Sequence, residues 1–235
     1  MSTPPVWPYA QVIAHRGGGK LAPENTIAAI KVGQSMGFKG IEFDVMLSSD
    51  SVPLLMHDDD LNRTCCRDDN VQVSSLPASE LLAMDAGSWF SSGEFAGELI
   101  PSYDSVIDYC KTNKIWMNVE IKPCGVGTFD SVTGRVVAEM TAAKFEAELE
   151  MLKKGDATDV SILPLFSSFS FDALMAAKVA APGIPRAYLI HSLLETLDWR
   201  DQCRALEVVS VNTSHQHLTA ELAAQIKADT NTKLN

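Results

Sequence analysis

The sequence predicts an α/β fold, a TIM (β/α) barrel carrying a small inserted segment. Three observations predict it. From Ile115 onward, short apolar strands alternate with helical stretches through short joins, the signature of a parallel sheet with right-handed crossovers. So many units without a long break fit a barrel better than a flat doubly wound sheet. The 235 residues, 46% of them hydrophobic, suit one barrel with a sizeable core, since such barrels run to about 250 residues.

Taken in order, Gln11–Arg16 reads as a short buried strand. It leads into Gly17-Gly18-Gly19, where glycine permits positive φ and a close backbone approach to a ligand. Pro23-Glu24-Asn25-Thr26 reads as a turn and N-cap. A helix follows over Asn25–Met36, with Ile27, Ala29 and Ile30 on its apolar side and Gly37 at its end. Gly40–Met46 alternates at period two, Ser48–Ser51 turns, and Val52–Asp58 is a second strand. The pair forms a hairpin that returns His57 towards Asp44.

Residues 59 to about 113 break this rhythm and read as an insertion on a single domain spanning 1–235, with a helical stretch at Ala78–Met84. Regular alternation then resumes. Strands are expected at Ile115–Lys122, Ser161–Phe166, Arg186–Ile190 and Glu207–Val211, and helices at 129–153, 171–180, 193–204 and 218–229. Thr230–Asn235 resembles the start of another strand. A closed barrel needs at least one more, so the C-terminal strand or strands are expected to be missing, or the barrel open.

A formal charge of −11 at pH 7 argues against nucleic acid or an anionic membrane surface as partner. A phosphate would then need a local cation: a metal, or clustered Arg and Lys. The five cysteines form no C-x-x-C pair and read as reduced thiols of a cytoplasmic protein. No signal peptide or membrane-spanning run is visible.

Glu42 and Asp44 alternate with Ile41, Phe43 and Val45, so both carboxylates share one strand face. Glu120 and Lys122 repeat the design between Val119 and Ile121. In a parallel barrel the apolar face packs on the outer helices, and the charged face points inward near the mouth. Interior charges are expensive unless paired or metal-bound. Three carboxylates from two strands make an oxygen-rich site suited to Mg²⁺ or Ca²⁺. Lys122 either pairs with Glu120 or holds an anion.

His15 and His57 each end a strand beside a charged residue, Arg16 and Asp58. Two histidines at such a mouth are natural acid and base partners. Arg16 has the donor fork that phosphate oxygens match, and Arg63 is a second candidate anion contact. His191 and the pair His215 and His217 read as loop residues, Cys124 carries no sign of catalysis, and Trp89 and Phe90 read as packing of the inserted segment.

These stretches resemble the glycerophosphodiester phosphodiesterases, most of all the bacterial cytosolic branch. The likeness is carried by AHRGGGKLAPENT from Ala14, GIEFDVMLSSDSVPLLMHDDDLNRT from Gly40, DAGSWF from Asp85, NVEIKP from Asn118 and FSSFS from Phe166, with weaker likeness in LIHSLLETLDW. The resemblance implies metal-dependent hydrolysis of deacylated phospholipids, such as glycerophosphocholine or glycerophosphoethanolamine, to sn-glycerol 3-phosphate and an alcohol. It implies His15 and His57 as the acid/base pair, Glu42, Asp44 and Glu120 as ligands of a divalent metal (Mg²⁺ or Ca²⁺), and Arg16 and Lys122 as phosphate contacts. It also implies attack by the glycerol 2-hydroxyl through a cyclic phosphate. The family's pocket-closing tryptophan and last strands match positions beyond Asn235. The expected partner is a small-molecule phosphodiester, with no nucleic acid and no membrane insertion, bound by a monomer or homodimer. Two other classes remain: a barrel phosphodiesterase acting on lysophospholipids, favoured by an apolar rim on the mouth, and a non-catalytic barrel that binds glycerol phosphates.

Overall fold

A computed structural model describes residues 7–90, 93–123, 127–156, 160–191, 198–216, 218–230 and 233–234. Element order is α1 (Ile27–Ser35), β1 (Gly40–Leu47), β2 (Pro53–Leu55), α2 (Asn62–Cys65), α3 (Ala78–Leu81), α4 (Tyr103–Asn113), β3 (Trp116–Ile121), α5 (Gly127–Lys144), α6 (Glu146–Lys154), β4 (Leu165–Ser168), α7 (Phe171–Ala180), β5 (Arg186–Ile190), α8 (Trp199–Leu206), β6 (Ser210–Thr213), α9 (Ala220–Thr230) and β7 (Lys233–Leu234). The strands form one sheet ordered β2-β1-β3-β4-β5-β6-β7, parallel throughout except for the antiparallel β1–β2 hairpin. Parallel strands joined by helices make this the expected TIM-barrel type of fold. Among the described residues no pairing links β7 to the opposite edge of the sheet, where Ala14 bridges Ile41.

Alternation along the strands sorts the side chains. Ile41, Phe43, Val45, Met117, Val119, Ile121 and Phe166 are buried against Ile30 of α1, Tyr103, Val106 and Ile107 of α4, Val137 of α5 and Leu174 of α7 in one apolar core. The Tyr103 hydroxyl, wholly buried there, pairs with Thr141 Oγ1 at 2.7 Å, so its burial leaves no orphaned polar group. On the opposite face Asp44, Glu120, Ser167, Ala187 and Ser210 stand in register across β1, β3, β4, β5 and β6. That row is acidic at one end and small-residued at the other.

Several boundaries differ from expectation, each for a local reason. The strand expected at 11–16 reduces to the single bridge at Ala14, because Arg16 turns into the left-handed region (φ 52°). The strand expected at 161–166 begins only after Pro164, which has no N–H for the ladder, and runs Leu165–Ser168. The strand expected from Glu207 starts at Ser210, because Glu207 adopts φ 52° and caps α8. The helix expected over 129–153 breaks at Phe145, whose ring is buried in the core, giving α5 and α6. Residues 193–197 of the helix expected at 193–204 lie outside the described residues. Met46, Leu54, Met56, Leu61, Val73, Leu81, Ala86 and Ile100 form a second small core, whereas α4 packs into the main one.

Helix α5 lies against α7 at its closest where Gly134 faces Ala173. A Cβ at Gly134 would stand 2.1 Å from the Ala173 carbonyl oxygen. Gly134→Val is therefore expected to cost about 1–3 kcal/mol through overpacking, lowering the Tm by at least about 2 °C at the usual 2–4 °C per kcal/mol for chains of this size. An unchanged thermal transition would contradict this contact.

Candidate active site

The site is assembled where the loop after Ala14 crosses β1 at Glu42 and Asp44. Gly17 N–H donates to the Glu42 carbonyl (3.1 Å), and Arg16 N–H donates to Glu42 Oε2 (2.9 Å). Gly17 and Gly18 serve helix packing: a Cβ at Gly17 would lie 3.0 Å from Ile30 N and 3.1 Å from the Ala29 Cβ, and one at Gly18 3.0 Å from the Ala29 carbonyl oxygen. The loop is thus pressed between α1 and β1. Thr26 completes the turn as N-cap of α1, its Oγ1 accepting from Ala29 N–H at 3.1 Å.

The structure brings together the residues singled out from the sequence. Glu42, Asp44 and Glu120 offer oxygen atoms all within 4.8 Å of one another. Lys122 Nζ lies 3.2 Å from Glu120 Oε1 and 3.8 Å from Asp44 Oδ1. Arg16 Nη1 donates to Glu24 Oε1 at 2.6 Å, while its Nε sits 3.4 Å from Asp44 Oδ2 without a hydrogen-bond acceptor. His15 Nε2 is 3.7 Å from Glu42 Oε2 and exposed to the mouth. His57 Nδ1 pairs with Asp58 Oδ1 at 2.6 Å, and the ring lies close enough to act on the electrostatics of both His15 and Glu120. His191 and His215 are exposed, and Cys124 and His217 lie outside the described residues. Trp89 packs edge-on against Phe90, with Arg63 over its ring.

Electrostatics follow from burial. Removal of Glu42 from water, then the charges of Asp44 and Glu120, push its carboxyl well above the ordinary range. Glu120 is raised by burial and then by Asp44. His15 is lowered by desolvation and by the neighbouring Arg16 guanidinium, so it stands neutral at pH 7. Asp58 is held down at about 2, chiefly by the Arg63 hydrogen bonds.

A divalent cation fits this arrangement. Glu42 Oε1 is buried with no hydrogen-bond partner, as are Asn118 Oδ1 and Ser167 Oγ on neighbouring inward positions. The site sets five carboxylates (Glu24, Glu42, Asp44, Asp58, Glu120) against three cations (Arg16, Arg63, Lys122). The formal excess of two negative charges equals one divalent ion, and the donors are all hard oxygens.

Sequence reasoning assigned Asn25 to the helix start. In the structure it clasps a candidate ligand: its Nδ2 donates to Asp44 Oδ2 (2.8 Å), and Asp44 N–H donates to its Oδ1 (3.1 Å). The available signal is the residue type, since Asn tolerates the left-handed φ of 58° found there. Sequence reasoning also offered Arg63 as an anion contact, but its guanidinium is taken up by Glu24 and Asp58.

Comparison with known proteins agrees with this geometry. The model of the glycerophosphoryl diester phosphodiesterase family matches residues 15–234. The chain is 32% identical over 217 residues to a glycerophosphodiester phosphodiesterase of Caldanaerobacter subterraneus subsp. tengcongensis, covering 92% of this chain and 80% of that one. A solved phosphodiesterase of Oleispira antarctica, in complex with its product sn-glycerol-3-phosphate, is 33% identical with a TM-score of 0.75, covering 96% of this chain and 83% of that one. A glycerophosphodiester phosphodiesterase structure from Parabacteroides distasonis, 19% identical with a TM-score of 0.67 over 95% of this chain and 81% of that one, shares the fold. With the family model spanning nearly the whole chain and the acidic cluster and both histidines gathered at one mouth, this protein belongs to the glycerophosphoryl diester phosphodiesterase family.

Proposed function

We propose that this protein hydrolyses glycerophosphodiesters, such as glycerophosphocholine and glycerophosphoethanolamine, to sn-glycerol 3-phosphate and an alcohol, using Mg²⁺ or Ca²⁺. The observation that carries the reading is the Glu42, Asp44 and Glu120 cluster standing beside His15 and His57 in a chain of this family. Glu42, Asp44 and Glu120 would hold the cation, which when bound polarises a phosphoryl oxygen and neutralises developing charge.

The chain's own groups supply the rest. Arg16 and Lys122 take the phosphodiester oxygens and neutralise the charge that builds on them in the transition state. His15, neutral at pH 7, accepts the proton of the attacking hydroxyl as the new P–O bond forms. His57 has its Nδ1 on Asp58, which leaves Nε2 to deliver a proton to the departing alcohol as its P–O bond breaks; water then opens the cyclic phosphate, the two histidines exchanging roles, to give sn-glycerol 3-phosphate. Asn25 holds Asp44 in position from two sides.

We read the chain as one catalytic domain with its insertion on the hairpin side. We place it in the cytoplasm, consistent with four described cysteines that are all free thiols. No helix among the described residues is long and apolar enough to cross a membrane. The lysophospholipid reading is not favoured, since the product held by the Oleispira antarctica relative has no acyl chain. Coupled measurement of the released choline or ethanolamine from glycerophosphocholine, glycerophosphoethanolamine and lysophosphatidylcholine, with sn-glycerol 3-phosphate assayed beside it, tests the reading. Release from the first two is expected; turnover of the lysolipid alone would overturn it.

A further inference from the structure

We infer that Arg63 is a positioning residue that clasps the loop carrying His15 to the loop carrying His57. The inference rests on the function proposed above and deepens it. Arg63 Nη1 and Nη2 donate to the two oxygens of Glu24 at 2.7 Å each. Its Nε and Nη2 donate to the two oxygens of Asp58 at 2.6 and 2.9 Å. The planar fork therefore binds one carboxylate along each edge. Each carboxylate passes the constraint on. Glu24 Oε1 also receives Arg16 Nη1 at 2.6 Å, next in the chain to His15. Asp58 Oδ1 meets His57 Nδ1 at 2.6 Å.

The two histidines lie on separate loops, one leaving the Ala14 bridge and one following β2. The side chain between them sits on the short helix α2 of the inserted segment, with the Trp89 ring 5.6 Å away on its other side. This gives the insertion a place in catalysis: it delivers the buckle. The guanidinium is 41% exposed, and exposed ion pairs contribute about 0–1 kcal/mol to stability. A purely stabilising role would thus be small. What the clasp fixes is geometry, where misplacement by about 1 Å can cost 10²-fold in rate. With its donors committed to Glu24 and Asp58, Arg63 presents no free fork to a phosphate, so it acts through the histidines without touching substrate.

The test compares Arg63→Gln and Arg63→Lys with the wild type and with Arg67→Ala. Arg67 is a part-exposed arginine of the same segment, paired among the described residues with the neighbouring Asp69. Both Arg63 variants are expected to lower kcat on glycerophosphocholine by about 10–10²-fold with KM within about twofold. Lysine fails to rescue because a single ammonium cannot bridge two bidentate carboxylates, and Arg67→Ala leaves kcat unchanged. The Tm of the Arg63 variants should fall by no more than about 4 °C. Independently of turnover, ring-¹⁵N spectra should show His57 Nδ1 protonated and hydrogen-bonded to Asp58 in the wild type and lose that signature in Arg63→Gln. A rise in KM with kcat kept would make Arg63 an anion contact and overturn the inference. So would kcat within twofold of wild type, or an unaltered His57 spectrum. If the wild type itself releases no sn-glycerol 3-phosphate, the proposed function fails, and the ¹⁵N comparison still decides the clasp.

Discussion

Alanine at His15 or His57 lowers kcat by about 10²–10⁴, the range for loss of a positioned proton-transfer group. The two losses differ in kind. In the proposed reaction His57, held at Nδ1 by Asp58 at 2.6 Å, would protonate the leaving oxygen through Nε2. His15, beside Glu42 and Arg16, would receive the proton of the nucleophile. A glycerophosphodiester with a p-nitrophenol leaving group needs little protonation on departure. On that substrate the His57→Ala defect should shrink to about tenfold or less, while the His15→Ala defect persists. Stopped-time assays on both substrates separate the roles. A His57→Ala defect of equal size on both would remove the acid role, and a wild-type rate in either variant would remove that histidine from the reaction.

Glu42→Gln is expected to raise the stability of the cation-free protein while abolishing turnover. Glu42 is 6% exposed, with Oε1 unpartnered and two further carboxylates within 4.8 Å. Without a cation that arrangement is repulsive and poorly solvated. Relief worth about 1 kcal/mol appears as about 2–4 °C in Tm for a chain of this size. Loss of the ligand removes charge stabilisation and should cost at least about 10²–10³ in kcat.

The same physics sets the pH dependence. Burial and mutual repulsion raise the folded-state pKa of Glu42 and Glu120 above the ordinary 4.5, so the folded chain binds more protons than the unfolded one. Their contribution is fully present below pH 4.5 and is lost as pH rises through the raised folded values. In EDTA, thermal denaturation should show this decline, and a saturating divalent ion should flatten it. A wild type and Glu42→Gln with identical profiles in EDTA would contradict the electrostatic account.

The outline of this site was legible because the strand period is two. Glu42 and Asp44 had to share a face opposite Ile41 and Phe43, and parallel pairing put Asp44 in register with Glu120. The hairpin was equally legible: alternation before Ser48–Ser51 and an apolar run after it set β2 back along β1, and His57 with it. Strand edges were less so. Arg16 and Glu207 adopt positive φ for reasons of capping and packing that periodicity does not register. Leu61, Val73, Leu81, Ala86 and Ile100 feed the small core and Tyr103, Val106 and Ile107 the large one, a change of partner that no local break in the sequence marks.

The supporting shell was the least legible part. Asn25 reaching Asp44, and Arg63 reaching Glu24, join side chains 19 and 39 residues apart. Local pattern carries no trace of such contacts. What the sequence offers is polar residue types in turns, which surface solvation would explain as well.

The most direct measurement is ³¹P NMR of one sample through a cation cycle. Wild-type protein with glycerophosphocholine is observed in EDTA, then after excess Mg²⁺, and in a parallel tube after Ca²⁺. The account predicts a static diester signal in EDTA and its conversion to sn-glycerol 3-phosphate once at least one of the two ions is supplied. Conversion at the full rate in EDTA, or an unchanged diester with both ions, would contradict the claim that Glu42, Asp44 and Glu120 hold a catalytic cation.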